Sequence, residues 1–73
     1  MKLFVVGLDG DHTPDPVYWR ERWGLVEAED RHDAKEQWIA EHQGWLQLSE
    51  LKHIFTDEVE SPVNPRTYQR KRR

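Results

Sequence analysis

Cysteine is absent from the chain. Disulfides and thiolate metal sites are thereby excluded, and a reducing interior is the expected setting. Serine is nearly absent as well, represented by Ser49 and Ser61 alone, so no serine–histidine–aspartate grouping can be drawn from the sequence. No apolar run approaches the roughly 20 residues of a membrane-spanning helix. The run Leu3–Leu8 is short for a secretory signal and gives way to Asp9 and Asp11. A soluble, non-enzymatic chain without a cofactor is the expectation these gaps leave.

What is present is charge and tryptophan. The 73 residues are 36% hydrophobic and 34% charged, with four tryptophans. A single domain of this size buries only about 60% of its unfolded surface, so a few large side chains must fill the core. The net charge of −3 conceals an asymmetry. Residues 1–60 hold all fourteen acids and six bases, a formal −8, whereas residues 61–73 hold five bases and no acid. The chain therefore divides into an acidic body, 1–60, and a basic tail, 61–73.

The stretch Asp30–Gly44 carries the strongest local signal. Asp30 can accept a first-turn amide, Asp33 suits the positive end of a helix dipole, and Gly44 can adopt the left-handed backbone that ends a helix. Ala34 and Trp38 share one face, with Ile39 at its edge. Met1–Leu8 reads as a buried strand, with Phe4, Val6 and Leu8 on one side and Leu3 and Val5 on the other. Asp9–Pro16 is loop by composition. Val17–Ala28 reads as an edge strand placing Val17, Trp19, Glu21, Trp23 and Leu25 on one side, with Gly24 as a bulge or a point of close approach. Trp45, Leu46, Leu48 and Leu51 are candidates to close the core. Leu51–Val59 reads as a third strand, with a short helix from Ser49 as the competing assignment.

Strand, strand, helix, strand predicts an α+β fold: a three-stranded antiparallel sheet of order 2-1-3 with one helix on one face. The tail SPVNPRTYQRKRR has two prolines and little apolar material and is expected to be disordered when free. The competing possibility is a tail that folds back on its own acidic body.

No constellation suggests chemistry. Asp9, Asp11 and His12 lack the further acids and spaced glutamate of a calcium loop, and read as a solvated turn. The four histidines do not form the paired spacing of a helical zinc site; His32 and Glu36 lack a second histidine. Trp19 and Trp23 have two readings: core fillers, or, with Phe4 and Val6, an apolar surface for a partner protein on the sheet face that no helix covers. The tail residues Arg66, Tyr68, Arg70, Lys71, Arg72 and Arg73 offer charge, guanidinium forks and one stacking ring for RNA or single-stranded DNA. The acidic body itself would repel a duplex.

A cysteine-free acidic domain opening MKLFVVGLDGDH and closing RTYQRKRR resembles the small transcription regulators of lytic Xanthomonas bacteriophages. The stretch WGLVEAEDRHDAKEQW looks more broadly like small bacterial and phage domains that pair a strand with an acidic helix start. The first resemblance implies a protein of the host bacterial cytoplasm that binds host RNA polymerase, inhibits initiation and promotes antitermination; a monomer is the expectation for the chain. Its body would contact a polymerase subunit and its tail would reach nucleic acid. Two other functions fit the charge division: a free single-stranded nucleic-acid-binding protein, and a DNA mimic that inhibits a host defence protein.

Overall fold

The computed structural model describes residues 1–10 and 15–70. Asp11 and His12 of the turn, and Lys71, Arg72 and Arg73 of the tail, lie outside the described residues. The element order is β1 (Lys2–Leu8), α1 (Pro16–Glu21), β2 (Gly24–Ala28), α2 (Arg31–His42), a 3-10 helix (Leu48–His53) and β3 (Ile54–Val59). The sheet is three-stranded with order β2-β1-β3, and both pairings are antiparallel. This is the α+β arrangement expected from the sequence. β1 is central because its side chains are apolar on both faces: Phe4, Val5, Val6 and Leu8 are all buried.

α2 forms where its caps and apolar face agree. The Asp33 amide donates to Asp30 Oδ1 at 2.8 Å, satisfying a first-turn donor. Ala34 and Trp38 are buried against Phe4, Val6, Leu8, Ala28 and Ile54, with Ile39 packed beside them. The Trp38 indole N–H donates to the Arg22 carbonyl at 3.0 Å, so the ring is buried without an orphaned donor. Gly24 lies beneath that ring, its position for a Cβ 3.6 Å from Trp38 Cδ1. This is the close approach the sequence allowed there, without a bulge. Gly44 does not take the left-handed conformation, since no described glycine has a positive φ. The chain leaves α2 through a right-handed turn instead, with the Trp45 amide donating to the His42 carbonyl at 2.9 Å.

The stretch Val17–Ala28 differs from its expected single strand. Only Gly24–Ala28 pairs with β1, while Pro16–Glu21 is helical. Asp15 and Pro16 decide this. The Asp15 side chain accepts the Tyr18 amide at 3.1 Å, and Pro16 at the first helical position supplies a preset φ where no amide is needed. Helical phasing then places Trp19 in the core against Trp38, with ring centroids 6.0 Å apart. Around Ser49 the competing assignment holds. Leu48–His53 is a 3-10 helix, with Glu50 Oε1 accepting the Gln47 amide at 2.9 Å, and the third strand begins only at Ile54. Leu46 and Leu51 pack against the core as expected, but Trp45 and Leu48 do not: they are 68% and 87% exposed.

Candidate functional site

The sheet face opposite α2 presents Leu3, Val5 and Gly7 from β1, with Leu25 and Glu27 of β2 and Phe55, Asp57 and Val59 of β3 beside them in register. It has a cover, although not a helix. Trp23, in the connection between α1 and β2, lies over Gly7: a Cβ there would stand 2.2 Å from Trp23 Cδ1. The indole N–H donates to the Leu8 carbonyl at 3.0 Å. The ring meets Phe55 edge-on at 4.5 Å between centroids, and the Arg20 guanidinium sits 3.9 Å above it. Glycine in β1 is therefore what admits the indole to this face.

Residues 64–70 complete the cover, which differs from the disorder expected of this stretch. Asn64 starts a turn: its side chain accepts the Arg66 amide at 3.0 Å and its carbonyl accepts the Thr67 amide at 3.1 Å. The Tyr68 hydroxyl then donates to Asp57 Oδ2 at 2.9 Å, and the Tyr68 carbonyl accepts from the Arg20 guanidinium. Arg70 pairs with Asp9 at 3.1 Å and stacks 4.2 Å over the Phe55 ring. The segment has too little apolar surface to fold alone. It is held because the body supplies two acids, one arginine and the Phe55 ring. Arg20, Trp23, Phe55 and Arg70 make a continuous cation–aromatic row.

The proposed partner surface of Phe4, Val6, Trp19 and Trp23 does not exist as a patch. Phe4, Val6 and Trp19 are 1%, 0% and 5% exposed beneath α2. Trp23 is half-buried on the other face, under Arg20. The reason is the helix at Pro16–Glu21, which separates two tryptophans that a continuous strand would have aligned. Of the tail residues, Arg66 is exposed, while Tyr68 and Arg70 are half-buried and engaged.

The exposed apolar material lies elsewhere. Trp45 is 68% exposed and stands 6.5 Å from the Tyr18 ring, over which the Arg22 guanidinium rests at 4.8 Å. Val17, next to Tyr18, is 70% exposed. This aromatic corner joins the start of α1 to the end of α2. Sequence reasoning missed it because Trp45 was assigned to the core; the Asp15–Pro16 helix start is the signal that would have moved Tyr18 there. Among the described residues no group of three or more histidines and carboxylates is placed to hold a metal ion, and no helix is long and apolar enough to cross a membrane.

The fold and its surfaces thus describe a small α+β domain with an acidic body and a strapped sheet face. No protein-family model, curated protein or solved structure matches the chain.

Proposed function

We propose that this chain is a phage-type transcription regulator that binds host RNA polymerase in the bacterial cytoplasm, inhibits initiation and promotes antitermination. The exposed Trp45 beside Tyr18 is the observation that carries the docking half of this reading. A large indole left in solvent by a domain with so little core to spare is the type of side chain that anchors protein interfaces. The surrounding acidic body favours a partner surface rich in lysine and arginine and disfavours direct duplex binding. The basic run Arg70–Arg73 supplies reach toward nucleic acid held by the partner. Catalysis has no part in it.

Purified bacterial RNA polymerase tests the proposal. The full chain and a chain ending at Arg70 are both expected to co-elute with the enzyme, because the shorter chain keeps the strap residues. Promoter-dependent initiation is expected to fall more with the full chain. Failure of both chains to co-elute overturns the proposal. Equal effects of the two chains on transcription remove Lys71, Arg72 and Arg73 from the mechanism.

A further inference from the structure

The strap across the sheet is held differently from the rest of the fold. None of residues 61–70 is fully buried, and Val63, Pro65, Tyr68 and Arg70 are its half-buried positions. Its links to the body include three polar contacts, Tyr68 to Asp57, the Tyr68 carbonyl to Arg20, and Arg70 to Asp9, and the stacking of Arg70 on Phe55. The Arg70 and Asp9 side chains are 34% and 29% exposed, so water and salt compete directly for the pair. α2, by contrast, is fixed by the buried Ala34 and Trp38. The strap can leave without disturbing α2 or the residues buried beneath it.

Arg70 is also poorly served where it lies. Its Nη1 meets Asp9, but its Nε is shut off from solvent with no hydrogen-bond partner. A guanidinium carries five donors in a fork that fits a phosphate bidentately. Arg70 opens the run Arg70-Lys71-Arg72-Arg73. A phosphate drawn to Arg70 meets the Asp9 carboxylate while the strap is docked, and like charges repel it. Once the strap has left the body, the anion meets only its positive charge.

We infer that residues 64–70 are a latch opened by single-stranded nucleic acid. The phosphate backbone takes Arg70 from Asp9 and from the Phe55 ring, Tyr68 leaves Asp57, and Arg20 loses the Tyr68 carbonyl that helps hold it over Trp23. Nucleic-acid binding and strap docking then oppose each other, and whatever stabilises one weakens the other by the same factor. The inference rests on the tail's contact with nucleic acid in the proposed function and is independent of the polymerase.

The test titrates the isotope-labelled full chain with a short oligothymidylate at low salt. Binding is followed by fluorescence anisotropy, and the Trp23 indole and the Phe55 and Asp57 amides by NMR. Tyr68→Phe removes the hydroxyl that reaches Asp57 without changing charge, so it loosens the latch with no electrostatic side effect. The expected result is binding that shifts the Trp23 and Phe55 signals toward their positions in Tyr68→Phe. The variant itself should bind about two- to tenfold more tightly, the range set by the net worth of one half-buried hydrogen bond. Binding that leaves those signals in place, with no gain in Tyr68→Phe, overturns the latch and leaves the tail's nucleic-acid contact standing. Absence of binding at low salt overturns both.

Discussion

Replacing Gly7 by alanine places a methyl group on the central strand directly under an indole. The added Cβ would stand 2.2, 2.6 and 2.7 Å from Trp23 Cδ1, Cγ and Nε1, well inside van der Waals contact. The ring cannot yield cheaply, because its N–H is bonded to Leu8, its face carries Arg20 and its neighbour is Phe55. If it stays, overpacking costs about 1–3 kcal/mol. If it swings out, a hydrogen bond worth about 0.5–1.5 kcal/mol and an aromatic pair of similar worth are lost. Against this, alanine restricts the unfolded chain and returns about 0.4–1 kcal/mol. A 2.2 Å approach belongs in the upper part of that overpacking cost, about 2–3 kcal/mol. The net expectation is therefore a destabilisation of about 1–2.5 kcal/mol, or a melting temperature lower by at least roughly 4 °C for a domain of this size. Urea unfolding followed by tryptophan fluorescence measures it. In a Trp23→Ala background the same change should cost almost nothing, since the ring it strikes is gone. A Gly7→Ala protein within about 0.5 kcal/mol of the original, which is the range of an inert surface change, would refute the packing of Trp23 on this strand.

Other substitutions separate the remaining claims. Gly44→Ala meets nothing within 4 Å and no positive φ, so it should leave stability unchanged or raise it by up to about 1 kcal/mol in the same urea assay. Asp15→Ala removes the cap of a six-residue helix and should cost about 1 kcal/mol, with a loss of helical signal in far-ultraviolet circular dichroism. Trp38→Phe keeps a ring in the core but leaves the Arg22 carbonyl without its donor, an expected cost of about 1–3 kcal/mol in chemical denaturation.

The elements that were legible in the sequence are those whose signals are local and agree with one another. In α2 the Asp30 cap, the uninterrupted helix formers and the Ala34–Trp38 face all specify one structure. In β1 two apolar faces specify a central strand, and the chain order then leaves one simple sheet. Val17–Trp23 misled because its aromatic and apolar residues happen to alternate. Tyr18 and Trp19 are tolerated in a helix nearly as well as in a strand, so the Asp15–Pro16 start decided the outcome. The strap, a tail folded back on its acidic body, was only the competing reading in the sequence, for another reason. Arg70 meets Asp9 and Arg20 meets Tyr68 across separations of 61 and 48 residues, and composition alone carries no record of such partners. The candidate surface moved with these two differences: Phe4, Val6 and Trp19 went inside, Trp23 went under Arg20, and Trp45 came out.

The most direct test of the account is the affinity of purified bacterial RNA polymerase for the full chain and for Trp45→Ala. Trp45 is largely in solvent, so its truncation should leave the unfolding midpoint within the range of a surface change, about 0.5 kcal/mol. Removal of an anchoring tryptophan from an interface costs about 2 kcal/mol or more. The account therefore predicts tight binding by the original chain and binding weakened at least about 30-fold in the variant, with stability intact. No binding by the original chain, or equal binding by the two, would contradict it.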